Sequence, residues 1–183
     1  MTGKSIRFLI VAGEASGDMH GGGLVRALKN YHPNCEFSGL GGDHMRREGV
    51  KTFYDIDRMG AVGVVEVLRD LPHYLNVYRK LSCEIKSGCY DAVILIDYPT
   101  LNLRLARLCQ KYSCPALFFI SPQVWAWRKG RIKQIQRTVD KMFVLFPFEE
   151  ALLKKEGVDA EFVGHPFIET VKTSMTRDEA VKE

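Results

Sequence analysis

The chain has no C-x-x-C pair, although it carries five cysteines: Cys35, Cys83, Cys89, Cys109 and Cys114. An odd number at scattered positions excludes a disulfide framework and reads as reduced, cytosolic cysteine usage. The five histidines do not fall at ligand spacing with cysteines or carboxylates, so we expect neither a metal nor a cofactor. No apolar run approaches the roughly twenty residues of a membrane span. The apolar run at 6–12 is too short for a signal-peptide core, and Glu14 and Asp18 follow it at once. No Gly-Lys-Ser/Thr follows the glycine-rich stretch, and G-x-G-x-x-G is missing too, which weakens an ATP or dinucleotide reading. There is no internal repeat and no low-complexity tract. The net charge of +4 is mild. It permits an anionic ligand or a membrane surface and gives no reason to expect nucleic acid.

What is present is 183 residues, 46% hydrophobic and 26% charged, enough for one domain with a sizeable core. Residues 6–12 form a short apolar strand stopped by Gly13. Gly13-Glu-Ala-Ser-Gly-Asp-Met-His-Gly-Gly-Gly23 reads as a glycine-rich loop before a helix over 24–28. Backbone N–H groups at such a helix start suit an anion or a sugar. Glu14, Ser16, Asp18 and His20 are dense on that loop, around Gly17. Helix capping accounts for one of them, not for four. Residues 36–40 are a second strand, 44–48 a short helix, and 51–54 a short strand whose flanking charges place it at a sheet edge.

Residues 64–86 carry the longest helical pattern, with a break expected at Pro72. Val64, Leu68, Leu71 and Leu75 belong to a stripe that runs on to Ile85, and Val65, Tyr74 and Val77 widen it. Arg69, His73, Arg79, Lys80 and Lys86 rim it with positive charge. Such a face suits an anionic membrane, with Val64, Val65, Leu68, Leu71, Tyr74 and Leu75 as its contacts. A helix packed on a sheet explains the same stripe and is the better reading of the pattern alone.

Residues 91–97 are a continuous apolar strand bounded by aspartates, as a central parallel strand should be. Asp97 stands at its carboxyl end, where doubly wound folds keep their ligands. A helix follows over 101–111, with Asn102 in its first turn. The strand at 116–120 opens onto Ser121-Pro-Gln-Val-Trp-Ala-Trp-Arg-Lys-Gly-Arg131, which holds both tryptophans of the chain. Pro122 forces Ser121 to leave the strand extended. Trp125 and Trp127 offer flat faces, and Arg128, Lys129 and Arg131 add cations with no acid between them. Aromatic faces beside cations suit a sugar, a base or a phosphate, and equally a core with a solvated rim. A helix over 132–139, a strand at 141–145, a helix from Pro147 to Gly157 and a strand at 160–163 complete the series. Strands and helices alternate throughout. The expected fold is α/β, Rossmann-like and doubly wound, with a largely parallel sheet.

Several segments, in order, resemble the N-terminal half of the lipid-A-disaccharide synthases, glycosyltransferases of the two-domain GT-B type. They include Val11-Ala-Gly-Glu-Ala-Ser-Gly-Asp18, Met59-Gly-Ala-Val-Gly-Val-Val-Glu-Val67, Ile94-Leu-Ile-Asp97, the Ser121–Arg131 block, Val144-Leu-Phe-Pro-Phe-Glu149 and Phe162-Val-Gly-His-Pro166. Tyr98-Pro-Thr100 departs from the pattern that the resemblance leads one to expect. The resemblance implies transfer of 2,3-diacylglucosamine from its UDP derivative to 2,3-diacylglucosamine 1-phosphate, giving a β-1,6 disaccharide 1-phosphate and UDP. It implies a peripheral protein on the cytoplasmic face of the inner membrane, with no metal, and leaves a homodimer open. An α-linked donor and a β-linked product imply inversion, which needs a carboxylate to take the proton of the attacking hydroxyl. Asp97 is the first candidate and Glu14 the second. Ser16, Gly17, Asp18, His20, Asn102, Ser121, Gln123, Trp125, Trp127, Arg128, Lys129 and Arg131 are the candidate substrate contacts. Residues 1–166 would be the acceptor-side domain. Residues 167–183 would begin the connection to a C-terminal donor domain that this chain does not contain, and the chain alone would be inactive. A non-catalytic lipid-binding fragment and a GT-B-like UDP-sugar epimerase are the alternatives.

Overall fold

The computed structural model describes residues 5–56, 59, 64–122 and 130–170, with the backbone alone at 64–70 and 169–170. Seven strands form one sheet: β1 (Ile6–Ala12), β2 (Cys35–Leu40), β3 (Lys51–Tyr54), β4 (Ala92–Ile96), β5 (Ala116–Phe119), β6 (Lys141–Val144) and β7 (Ala160–Phe162). Their order is β3-β2-β1-β4-β5-β6-β7, and every neighbouring pair is parallel. The helices are α1 (Ala15–Tyr31), α2 (Asp43–Arg47), α3 (Val64–Lys86), α4 (Pro99–Lys111), α5 (Gly130–Thr138), α6 (Pro147–Lys155) and α7 (Phe167–Thr170).

Right-handed crossovers then dictate the layers. From β1 the chain first moves toward β2 and β3, which puts α1 and α2 on one face. From β3 it returns past β1 to β4 and continues outward, which puts α3 to α6 on the other. The two apolar clusters follow this division. Val25 and Met45 pack with Ile10, Ala12, Ile94 and Ile96. Val77, Leu81, Leu101, Leu105, Ile132, Ile135 and Leu153 pack with Leu9, Val11, Val93, Leu95 and Phe118. The alternation along β1 and β4 is the period of two that sends successive side chains to opposite faces. All five residues of β4 are buried, as expected of a strand covered on both sides.

Three sequence expectations need correction. The stretch after Gly13 is helix from Ala15 onward, so the loop is only Gly13 and Glu14. Its glycines are contact points. A Cβ on Gly17 would stand 3.3 Å from Ala12 Cβ, one on Gly21 2.7 Å from Met45 Sδ, and one on Gly22 3.0 Å from the His44 backbone. They let α1 lie close on the sheet and on α2. Second, α3 runs through Pro72 without a break. Proline removes one helical bond at a cost of about 3 kcal/mol. Val77, Leu81 and Ile85, each at most 1% exposed, anchor the helix beyond it. Third, Val77 belongs to the core and does not widen an outer face. The remaining boundaries shift by one or two residues, and β3 lies at the sheet edge as its charges predict.

Candidate active site

An all-parallel sheet brings the carboxyl ends of its strands to one rim. β1 and β4 are neighbours, with Ala12 opposite Ile96, so Gly13-Glu14 and Asp97-Tyr98 leave the sheet side by side. This is also where strand order reverses, and the first helices of the two directions, α1 and α4, diverge to opposite faces. A crevice opens there for geometric reasons alone.

The turn after β4 is strained. Asp97 and Tyr98 are both left-handed, at φ 41° and 43°, a conformation that costs a non-glycine residue about 1–3 kcal/mol. Several contacts hold it. Asn102 Nδ2 donates to the carbonyls of Ile96 and Asp97 at 3.0 and 2.8 Å. The Asp97 N–H donates to Phe119 O at 3.1 Å, and the Asn102 N–H to Tyr98 O at 3.1 Å. The Tyr98 hydroxyl donates to Met59 O at 3.0 Å. The Tyr98 ring lies so close over Gly13 that a Cβ there would meet it at 2.3 Å. The two loops are therefore fitted to each other, and only glycine serves at position 13.

Within this frame the Asp97 and Glu14 carboxyls lie close enough to interact electrostatically. Ser16 Oγ donates to Glu14 Oε1 at 3.1 Å. Burial pushes the Asp97 pKa up, the nearby Glu14 carboxylate pushes it further, and the Tyr98 backbone N–H pulls the other way, leaving it at about 6. Two acids that share a site cannot both ionise freely, so one holds its proton more tightly. The result is a carboxylate ionised at neutral pH with more proton affinity than an exposed aspartate.

The other predicted residues take several different positions. His20 is half-buried on α1 and lines a largely apolar cavity of about 620 Å³ with His165, Phe119 and Phe167. Its ring stands 6.5 Å from His165 and 5.3 Å from Phe167. Burial, then the neighbouring His165, lowers its pKa. Three others turn inward. Asp18, 2% exposed, accepts from the backbone N–H groups of Gly42, His44 and Met45 at 2.7, 2.9 and 3.1 Å. It caps α2 and fixes it to α1, a structural role that its expectation as a substrate contact did not include. Asn102 is fully buried and braces the Asp97 turn from behind. Ser121 is 7% exposed and bonds the Pro122 carbonyl. Gly17 is a packing glycine. Gln123, Trp125, Trp127, Arg128 and Lys129 lie outside the described residues, while Arg131 sits half-exposed on α5. On α3, Leu71 and Leu75 are 44% and 39% exposed, and Tyr74 is half-buried with its hydroxyl 3.4 Å from Thr100 O. The side chains of Val64, Val65 and Leu68 are not among those described.

Sequence reading did not find the roles of Tyr98, Met59 and His165. Tyr98 had a signal: a bulky aromatic directly after an aspartate at a strand end needs a wall to lie on, and Gly13 is that wall. Among the described residues there is no group of three or more His, Cys, Asp or Glu that could hold a metal ion, and no helix is long and apolar enough to cross a membrane.

A family model described as lipid-A-disaccharide synthetase matches residues 8–183. The lipid-A-disaccharide synthase of Geobacter sulfurreducens is 48% identical over 177 residues, which is 97% of this chain and 46% of that protein. That of Coxiella burnetii is 42% identical over 183 residues, or 100% of this chain and 48% of that protein. The chain thus spans about half the length of the curated relatives it matches. Among solved structures, Arabidopsis thaliana UGT89C1 complexed with UDP is similar with a TM-score of 0.53 at 14% identity, over 98% of this chain and 54% of that one. At that identity the likeness speaks for the fold alone, the α/β domain of a GT-B protein.

Proposed function

The chain belongs to the lipid-A-disaccharide synthetase family, and we propose that it is the acceptor-binding half of an enzyme that joins two acylated glucosamine units. The donor is UDP-2,3-diacylglucosamine and the acceptor 2,3-diacylglucosamine 1-phosphate. Asp97 takes the proton of the acceptor 6-hydroxyl as that oxygen attacks the anomeric carbon, UDP leaves, and the configuration inverts. The observation that carries this reading is the Asp97–Glu14 pair at the crevice between β1 and β4. A base needs a fixed position and a pKa below, but not far below, the working pH. The braced turn supplies the first, and burial beside a second carboxyl supplies the second.

Glu14 stands beside Asp97 and keeps the proton affinity of Asp97 high. Ser16, His20 and the cations of the Ser121–Arg131 block are the proposed contacts to sugar and phosphate. Residues 1–166 form the acceptor-side domain, and 167–183 lead toward a donor domain that holds UDP. Leu71, Tyr74 and Leu75 on α3 rest on the cytoplasmic face of the inner membrane, where the acyl chains of both substrates reside.

Complementation tests this. The chain is incubated with both lipid substrates, alone and with a separately supplied C-terminal half. We expect no disaccharide alone and restored synthesis with the second half. Robust synthesis by the chain alone refutes the division of labour. No synthesis in either case, with both halves folded and associated, refutes the catalytic reading and favours a lipid-binding module.

A further inference from the structure

Residues 98–139 contain eight Lys and Arg and not one Asp, Glu or His. Of the chain's 26 basic residues, that leaves 18 elsewhere to face all 22 acidic ones. The whole positive excess is thus concentrated in under a quarter of the sequence, and the rest of the chain is net acidic.

The fold gathers five of these eight on one face. On α4, Arg104, Arg107 and Lys111 are exposed at i, i+3 and i+7, one stripe of a helix. On the adjacent α5, Lys133 and Arg137 are exposed at i and i+4. Between the two helices runs a groove of about 490 Å³ that Arg107, Lys133 and Arg137 line together with Gln110 and Gln134, and among the described residues no carboxylate lines it. Gln134 braces the groove: its Nε2 donates to Leu103 O at 2.6 Å, and its Oε1 accepts from Arg107 Nη2 at 2.9 Å. Arg107 therefore points along the groove with its remaining donors free of any described acid.

On its other side α4 adjoins α3, whose Leu71 and Leu75 are exposed one turn apart. The Arg104 guanidinium lies 6.0 Å from the centre of the Tyr74 ring and joins the two surfaces. One helical layer thus presents an apolar ridge beside a basic groove. A polyanion in solution would need only the groove. A lipid surface needs both, apolar side chains for the acyl region and cations for phosphodiester headgroups.

We propose that the α4–α5 groove is a headgroup site for anionic phospholipid, seated beside the α3 ridge. The inference rests on the membrane contact of α3 proposed above, and it adds a determinant of lipid selectivity that the ridge alone does not have. Arginine suits the ligand, because its planar fork pairs with two phosphate oxygens at once.

Co-sedimentation of the chain with vesicles tests it, using phosphatidylcholine alone or with one-third phosphatidylglycerol. Three folded proteins, checked by circular dichroism, are compared with the parent: Arg107→Gln/Lys133→Gln/Arg137→Gln, Leu71→Asp/Leu75→Asp, and a charge-matched control, Arg47→Gln/Lys51→Gln/Lys155→Gln. A cation at an anionic surface contributes roughly fivefold in affinity, so the groove triple should bind phosphatidylglycerol vesicles about a hundredfold less tightly. The control should lose much less. The ridge double should lose binding to both vesicle types. If the groove triple sediments with anionic vesicles as well as the control does, the inference is overturned and the ridge reading stands. If the parent binds neither vesicle, the ridge reading falls and the groove with it. If the parent retains single-stranded RNA and ignores anionic vesicles, the groove serves another polyanion and the lipid assignment is overturned.

Discussion

Asp18 and Asp97 are two carboxylates that strand-to-helix junctions bring out of water, and they end with opposite surroundings. Asp18 meets three backbone N–H groups. Its two oxygens take up all three donors, and the group serves to hold α2 against α1. Asp97 meets another carboxyl and one N–H, in a half-buried place, and its pKa rises to about 6. Burial is thus not what marks a functional carboxylate, since Asp18 is the more buried of the two. The partner decides. Backbone donors tie Asp18 into the fold, and a second acid raises the proton affinity of Asp97.

The sharpest test of that contrast is a pair of substitutions with crossed effects. In a polypeptide extended to full family length, Asp97→Asn should reduce turnover by about two to four orders of magnitude, the usual worth of a positioned base. Its fold should survive. The folded state binds the Asp97 proton more tightly than the unfolded chain, so Asp97 stabilises relatively below its unfolded pKa and loses that contribution as pH rises through about 6. Asparagine removes that loss, and at pH 8 the variant should melt no lower than the parent. Turnover within about tenfold of the parent would make Asp97 a capping or positioning group and transfer the role of base to Glu14.

Asp18→Ala should behave the other way. It leaves buried N–H groups without an acceptor at about 1–3 kcal/mol each. A total near 3 kcal/mol corresponds to a melting temperature lower by about 6–12 °C in a domain of this size. Thermal unfolding followed by circular dichroism measures it. At temperatures where the variant remains folded, its catalytic parameters should stay close to those of the parent. A stable Asp18→Ala protein with lost substrate affinity would break the comparison and return Asp18 to the ligand set.

The sequence announced these two residues unequally, and the reason is physical. The strand before Asp97 is a continuous apolar run, so its end, and the residue on it, could be placed by counting. Asp18 sits among glycines, and glycine is first of all a loop signal. Their spacing held the better clue. Gly17 and Gly21 are four apart, one face of a helix, and that face lies on Ala12, Ile96 and Met45. The partners of Asp18 are 24 to 27 residues away, and no local pattern reports a cap supplied from another element. Asn102 is hidden from a local reading in the same way. Its position in a first helical turn suggested contact with ligand, while its amide reaches back under the turn to hold the Asp97 backbone. Pro72 erred in the opposite direction: a strong local rule yields where later residues of the same helix are locked in the core.

Glu14→Gln gives the smallest effect and the finest test, because it alters the partner and leaves Asp97 itself intact. The two causes that raise the Asp97 pKa are burial first and Glu14 second. Glutamine keeps the volume and removes the charge. With Asp97 as the base, the parent's kcat/KM profile should have an acidic limb near pH 6, and in this variant the limb should move toward lower pH. It should stop short of an exposed aspartate, because burial persists. A base of lower proton affinity is also a weaker base. The plateau rate above pH 7 should fall by less than in Asp97→Asn, with KM largely kept. A profile measured from pH 4.5 to 8.5 reads the limb and the plateau together. An unmoved limb would mean that Glu14 does not interact electrically with the group that titrates, and the carboxyl pair would lose its role as the tuned element of the site. A limb that moves upward would give the sign of a lost donor, making Glu14 the partner that holds Asp97 ionised. Only the downward shift agrees with two acids contending for one proton.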